Sequence, residues 1–284
     1  MTTVRSRLLP YLLLAPSVAF LAALFLVPLI QTITLSFSED GVPSLANYTR
    51  MVSDLNFGLA VRNTFLLVLT VVPIQIVMAL AMAMMLQKLP RGRDVVLWIW
   101  TIPLGISDLA AGLVWLAILQ DRGYLNSALY GLGLIDGPTA WLTYETPVAL
   151  FFGVLVAEVW RATAIVLVIL VAGLQLIPKE YKEAAEVFGA RPWTTFRRIT
   201  LPLLKPSLQT ALILRTVLAF EVFAVVYAIG GTNFPVLVGE AYNWQRNYQN
   251  TGVAAAYAML IVAISLGATV VFLWALRTKP EQQA

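Results

Sequence analysis

The chain has 284 residues, of which 60% are hydrophobic and 12% are charged. Soluble domains carry about 25% charged residues, so this composition predicts an integral membrane protein. The chain contains no cysteine and no histidine, which excludes disulfides, thiol nucleophiles, histidine general bases and zinc sites built from those ligands.

Six segments are long and apolar enough to cross a bilayer as helices, which takes about 20 residues. We therefore predict an all-α membrane protein with six transmembrane helices in a single transmembrane domain over residues 1–284. The predicted spans are residues 8–30, 63–86, 95–119, 147–177, 203–229 and 252–276. Pro10, Pro16 and Pro28 predict that the first span is bent or interrupted, and its length argues against a cleaved signal peptide.

The basic residues concentrate on one side of the predicted bundle. With the N-terminus inside, thirteen of the 19 lysines and arginines lie in inside segments and four lie in outside segments. Arg161 and Arg215 lie within spans. The positive-inside rule then places both termini and the loop of residues 178–202 in the cytoplasm. This distribution explains the net charge of +4 by orientation in a cell membrane, in contact with lipid, and not by nucleic-acid binding.

Apart from Lys205 at the edge of the fifth span, five charged residues fall inside the predicted spans: Asp108, Glu158, Arg161, Arg215 and Glu221. Charges at that depth are costly, so they usually pair with one another or face a water-filled path. Glu158 and Arg161 are three residues apart on a helix and can pair. A structural role, a path for a polar solute and a proton relay all remain open for these residues.

The segment between the fourth and fifth spans is charged and predicts two short helices. Glu183 suits the first turn of a helix, where negative charge complements the helix dipole. Lys182 and Glu186 are four residues apart and can pair. Gly189 suits the end of this helix, and Pro192 can start the second. The sequence has no G-x-x-x-x-G-K-[ST] motif, so any ATP that drives the protein is held by another subunit.

The same segment resembles the EAA loop of the ABC-importer permeases. Glu183-Ala184-Ala185 is followed by three residues and Gly189, then by nine residues, Ile199, one residue and Leu201-Pro202. The resemblance implies a type I importer fold in which residues 178–202 form the loop that docks on an ATP-binding subunit; an ordinary charged loop is the alternative. It places the ATPase contact at Glu183, Ala184, Ala185, Phe188, Gly189 and Arg191.

Three residue pairs elsewhere are similar to the sugar-importer permeases. Asn47-Tyr48 is expected just ahead of a short amphipathic helix, and Asn63-Thr64 is expected at the start of the second span. Gly230-Gly231 is expected to close the fifth span at the outer face. Aromatic residues in the outer loops either form an interfacial belt or dock an extracytoplasmic solute-binding protein.

The resemblance implies a maltose/trehalose-type permease that moves a disaccharide or oligosaccharide by alternating access. The implied partners are a second related permease, two ATP-binding subunits that hold ATP and magnesium, and a solute-binding protein; no cofactor and no enzyme activity are expected on this chain. A proton-coupled carrier, and a permease for a polyol or glycerol phosphate, are the alternatives. The candidate residues of the sugar path are Asp108, Glu158, Trp160, Arg161, Arg215, Phe220, Glu221 and Tyr227.

Overall fold

The structure is a computed structural model that describes residues 2–275, with side chains from residue 11 onward. The side chains of Arg5 and Arg7 lie outside the described part, and so do Arg277, Lys279 and the predicted end of the sixth span at Leu276. The helices in chain order are α1 (Thr2–Leu21), α2 (Val27–Ser36), α3 (Ala46–Ser53), α4 (Phe57–Lys88), α5 (Arg93–Thr101), α6 (Asp108–Leu119), α7 (Tyr124–Gly131), α8 (Pro147–Gln175), α9 (Glu180–Val187), α10 (Pro192–Thr195), α11 (Leu201–Phe220), α12 (Ala224–Gly230), α13 (Leu237–Arg246) and α14 (Thr251–Ala275). Strands β1 (Ser38–Glu39) and β2 (Val42–Pro43) form a short antiparallel hairpin.

Within the described residues, five continuous helical segments are long and apolar enough to cross a membrane. They are Tyr11–Ser36, Phe57–Lys88, Pro147–Gln175, Pro192–Phe220 and Thr251–Ala275. A bent pair of helices, Arg93–Gly105 with Asp108–Gly131, brings the number to six if it is one broken span. The prediction of an all-α membrane protein is therefore confirmed.

The described residues divide into two compact units, residues 2–57 with 240–262 and residues 58–239 with 263–275. In the second unit, α8 takes part in two apolar clusters. One joins Val154 of α8 to Val71 of α4 and Val225 of α12, and the other joins Leu170 of α8 to Leu204 of α11. A polar side chain on the buried faces of α8 must therefore find its partners within the protein.

Two turns widen to π-helical geometry, at Ala22–Leu26 and at Phe196–Thr200. Each ends two residues before a proline, Pro28 or Pro202. Proline has no N–H, and its ring crowds the carbonyl four residues earlier, which a wider turn relieves. The first span thus shows the predicted irregularity. The prediction of a separate second helix in the charged loop is wrong, because the helix that begins at Pro192 continues through the π-turn to Phe220.

The third predicted span is broken and is not a single helix. α5 and a 3₁₀ turn over Ile102–Gly105 precede the break, and α6 leaves at an angle of 97° to them. Ser107 caps α6, since its Oγ accepts a hydrogen bond from the backbone N–H of Ala110 at 3.2 Å. Asp108 consequently lies in the first turn of α6 and not in the middle of a helix.

The fifth predicted span also ends earlier than expected. α11 stops at Phe220, Glu221 occupies its C-terminal cap, and α12 begins only at Ala224. The expected continuous helix over residues 203–229 is wrong. The predicted glycine turn is present, since α12 ends at Gly230 and Gly231 has a φ of +53° and a ψ of −130°, a conformation that essentially requires glycine.

Asn63-Thr64 lies inside a helix and not at its start, and Asn47-Tyr48 lies in the first turn of α3 and not ahead of it. α4 begins at Phe57, so Asn63 and Thr64 are within it; the Asn63 amide donates to the Pro235 carbonyl at 2.9 Å, and the Thr64 hydroxyl accepts from the Leu237 N–H at 3.0 Å. These bonds hold the segment between α12 and α13 against α4.

In the first unit, Asn47 fixes the end of α2. It lies in the first turn of α3, with Tyr48, and its amide donates to the carbonyl of Leu35 at 3.1 Å and to that of Ser38 at 2.9 Å. Gly252 of α14 passes so close that a Cβ there would meet the Asn47 side chain at 2.5 Å. The asparagine thus satisfies carbonyls that the helix end leaves without partners.

A second polar cluster of the first unit surrounds Asp54. Its carboxylate accepts hydrogen bonds from Trp244 Nε1 at 2.5 Å and from the Tyr257 hydroxyl at 3.0 Å. Glu240 is buried nearby, with the Asn243 amide at 3.5 Å from its Oε1. Burial, together with the charge of Asp54, raises the pKa of Glu240 above its usual value.

We expect Glu240→Gln to stabilise the protein at neutral pH but not at pH 4. The pKa of Glu240 is higher in the folded state than in the unfolded state, where it is near 4.5. The free energy of unfolding therefore falls as the pH rises from the unfolded-state pKa through the folded-state pKa, because the buried carboxyl must then ionise. Glutamine does not ionise. Thermal unfolding of the purified protein between pH 4 and pH 8 measures the difference, with Glu145→Gln at an exposed site as the control. A gain that is equal at every pH would contradict this expectation.

Candidate functional site

Helix α9 has the boundaries that its sequence favours. Glu180 and Glu183 lie in its first turn. At its end, the N–H of Gly189 bonds to the carbonyl of Glu186 and the N–H of Ala190 bonds to that of Ala185, both at 2.9 Å. Gly189 has a φ of +71°, so these bonds form a Schellman cap that a glycine accommodates without strain.

Helix α9 presents most of the expected ATPase-contact residues to solvent. Glu183, Ala184, Phe188, Gly189 and Arg191 are exposed, and Phe188 is 89% accessible. Large apolar side chains exposed next to one another commonly mark an interaction surface. We call this surface the α9 face; its residues are Glu183, Ala184, Val187, Phe188 and Gly189.

Ala185 departs from the expectation that both alanines are available to a partner. It is buried against its own chain, while Ala184 is exposed. The two residues are adjacent on a helix, so they point about 100° apart and cannot share one face. The inward side of α9 is therefore used for packing within the protein.

Lys182 also points inward from α9. Its ammonium group donates a hydrogen bond to Oε1 of Gln87, in the last turn of α4. Burial lowers the pKa of Lys182, and the charge of Glu186 opposes that change. Glu186 thus acts on Lys182 through its charge, while the hydrogen-bond partner of the ammonium group is Gln87, a residue 95 positions earlier in the chain.

Four of the five charged candidates in the spans come together in the second unit. Glu158 of α8 accepts hydrogen bonds from Arg215 of α11 at 2.5 Å and from Arg161 at 3.0 Å, both at Oε1. Gln75 of α4 accepts from Arg215 Nε and donates to the backbone carbonyl of Glu158 at 2.9 Å. We call these residues, together with Asp108, the intramembrane network.

Exposure increases along the intramembrane network from one end to the other. Arg215 is 0% exposed and Glu158 is 2% exposed. Arg161 then reaches out to Asp108, with 2.8 Å between Nη1 and Oδ1, and the Asp108 side chain is 50% exposed. Two arginines face two carboxylates, so the network is neutral overall. Its exposed end offers a guanidinium and a carboxylate, groups that can hydrogen-bond to a hydroxyl-rich solute.

The remaining candidate path residues lie outside the network. Trp160 packs edge-on against Trp115, with 6.2 Å between ring centroids. Phe220 is buried, Glu221 is exposed at the end of α11, and Tyr227 is partly exposed. The structure therefore brings together Asp108, Glu158, Arg161 and Arg215, but not the other four.

Gln75 is not among the residues predicted from the sequence. It lies in a predicted span without charged residues, so the charge criterion passed over it. An uncharged amide in the middle of a long apolar helix was the available signal, since buried amides need hydrogen-bond partners. The Asp54 cluster was missed as well, because its members are far apart in the chain.

The chain has long apolar helices, a network of balanced charges within them and an exposed α9 face. Together these features indicate a membrane transport subunit. Residues 75–279, well over half of the chain, match the family model of the binding-protein-dependent transport system inner membrane component. The chain belongs to this family: it is an ABC-importer permease of the inner membrane and not an enzyme.

Relatives of known function agree with this assignment. The trehalose/maltose transport system permease protein of Thermococcus litoralis is 32% identical, with 95% of this chain and 94% of the relative covered. The sulfoquinovosyl glycerol transport system permease protein of Agrobacterium fabrum is also 32% identical, with 96% and 92% covered. The trehalose transport system permease protein of Mycobacterium tuberculosis is 30% identical, with 90% and 84% covered.

The fold has a counterpart among solved structures. A chain of a bacterial ABC transporter involved in the import of the acidic polysaccharide alginate superposes with a TM-score of 0.83. It is 21% identical, and 97% of each chain is covered. This likeness concerns the fold, and it confirms the importer-permease architecture that the EAA resemblance implied.

Proposed function

We propose that this chain forms half of the membrane pathway of an ATP-driven importer for a neutral disaccharide or oligosaccharide, such as trehalose or maltose. Relatives named for trehalose and maltose are 30% and 32% identical over most of their length. The observation that favours an uncharged solute is the neutral intramembrane network, because it offers hydrogen-bonding groups without excess positive charge. A polyol is compatible with the same network; glycerol phosphate is less so.

The α9 face supports the coupling part of the proposal. α9 ends in a rigid cap, and its exposed Val187 and Phe188 sit beside the small Ala184. We infer that this face docks on an ATP-binding subunit, which holds ATP and magnesium, and that alternating access follows its movement. Two such subunits, a second permease and an extracytoplasmic binding protein complete the assembly. One structure of the alginate transporter was solved with its solute-bound periplasmic protein.

The orientation proposed for the chain has both termini in the cytoplasm. It follows from the basic residues, of which Lys182, Arg191, Arg197 and Arg198 lie on the same loop as the α9 face. An ATPase acts from the cytoplasm, so the charge distribution and the docking role require the same side.

A proton-coupled mechanism has less support from the site. Glu158 is paired with two arginines and Asp108 with one, so both carboxylates already have charged partners within the protein. Glu221 lies apart from both, at the end of α11.

Transport in proteoliposomes tests the proposal. The chain is purified with its ATPase subunits and reconstituted with the binding protein, and uptake of labelled trehalose and maltose is measured with ATP or with an imposed pH gradient. We expect uptake when ATP is supplied and no pH gradient is imposed. A calorimetric screen of the binding protein against disaccharides, polyols, glycerol 3-phosphate and alginate oligosaccharides identifies the solute. Uptake that follows the pH gradient without ATP, or binding of anionic solutes only, would contradict the proposal.

A further inference from the structure

Two helices connect the charged loop to the intramembrane network. One is the helix of Pro192–Phe220, which follows α9 directly and carries Arg215 near its end. The other is α4, which receives the Lys182 hydrogen bond at Gln87 and holds Gln75 further along. The first connection is covalent, and the second includes the Lys182–Gln87 hydrogen bond.

The stretch of α4 between the two glutamines is built to be stiff. It has neither glycine nor proline and consists largely of alanine, leucine and methionine, which favour helix. Gln75 and Gln87 are twelve residues apart, about 18 Å along the axis at 1.5 Å per residue. Pro73 lies beyond Gln75 and outside this stretch. A displacement at one glutamine therefore reaches the other without an intervening hinge.

The two connections meet at the buried end of the network. Gln75 accepts the hydrogen bond of Arg215 Nε and donates to the Glu158 backbone, so α4, α8 and α11 are joined at one point. Glu158 in turn holds Arg161, which pairs with Asp108 at the exposed end. Movement of α4 relative to α11 would act on this junction.

We propose that Lys182 and Gln87 are positioning residues that transmit the movement of α9 to α4, in parallel with the direct route through α11. The inference rests on the proposed docking of α9 on an ATPase. Allosteric coupling of this kind requires that both elements bias the same change of state, which a double-mutant cycle can measure.

The test measures solute transported per ATP hydrolysed by the complete reconstituted transporter. We expect Lys182→Met and Gln87→Leu each to lower this ratio about fivefold, a typical size for allosteric coupling, while the ATPase still copurifies. The double variant should be no worse than the more affected single variant. Gln87→Glu should keep the wild-type ratio, because a carboxylate still accepts the hydrogen bond of Lys182.

Lys179→Met is the matched control, since Lys179 is an exposed lysine three residues away on the same loop. It should keep the wild-type ratio. Equal ratios for wild type, Lys182→Met and Gln87→Leu, or additive losses in the double variant, would overturn the inference while leaving the proposed function intact. If a contact-removing variant fails to assemble, the other single variant and Gln87→Glu still decide the outcome. An ATPase that does not copurify with the unmodified chain would instead disprove the proposed docking.

Discussion

Gly189→Asp is expected to weaken binding of the ATPase by at least about tenfold, or to leave ATP hydrolysis without transport. Gly189 has a φ of +71°, and a Cβ there would have no neighbour within 4 Å, so the chain itself should still fold. Aspartate tolerates this conformation at a modest cost, but it places a negative charge at the C-terminal end of α9, beside Val187 and Phe188. A buried unpaired charge readily costs an interface a factor of about ten in affinity.

Copurification with the ATPase, and ATPase activity stimulated by the solute-loaded binding protein, measure this effect. Gly92→Asp is the matched control, because Gly92 has a φ of +76°, is equally open and precedes α5 on the same predicted side of the membrane. It should behave as wild type. Full transport-coupled hydrolysis in the Gly189→Asp variant would show that α9 is not the docking element.

Arg215→Met is expected to destabilise the protein by about 3–5 kcal/mol, the usual cost of removing one partner from a buried ion pair. Arg215 is completely buried, and it serves both Glu158 and Gln75. Methionine fills similar space but leaves the Gln75 oxygen without its donor and the network with a net negative charge. The midpoint of thermal unfolding in detergent, and the fraction of protein that elutes as a single species, measure the loss.

Two further variants serve as controls for Arg215→Met: one restores the charge balance of the network, and the other removes an exposed arginine. Glu158→Gln combined with Arg215→Gln restores neutrality, since Arg161 then balances Asp108, and it should recover part of the stability. Arg122→Met, at an exposed loop position, should have little effect. A single Arg215→Met variant as stable as wild type would mean that the ion pair contributes nothing to the fold.

The sequence predicted most of the fold because helices that cross a bilayer can be recognised from the length of their apolar segments. It failed where a helix stops inside an apolar run. Pro103 and Gly105 marked irregularity in the third span, but they do not distinguish a kink from a bend of 97°. Nothing local marked the break after Phe220, since Glu221 and the residues beside it are neither proline nor glycine. Packing against other helices decides such a break.

Contacts of the site between residues close in the chain were predictable, and contacts between different helices were not. Glu158 and Arg161 are three residues apart in the chain, and their pairing follows from helix geometry alone. The partners Gln75 and Arg215 lie on other helices, and no spacing rule shows which helices become neighbours. The same limit applies to Ala185, whose inward orientation depends on what packs behind α9. The motif predicted the position of the proposed docking loop, and tertiary packing decided which of its residues are exposed.

The neutrality of the intramembrane network has an electrical consequence. Moving one elementary charge across a membrane potential of about 100 mV takes or releases about 2.3 kcal/mol. Arg161 and Arg215 are balanced by Asp108 and Glu158, so a conformational change that carries these side chains together does no net work against the membrane voltage. For the uncharged sugar proposed as cargo, the translocation step should therefore run at the same rate in polarised and depolarised membranes.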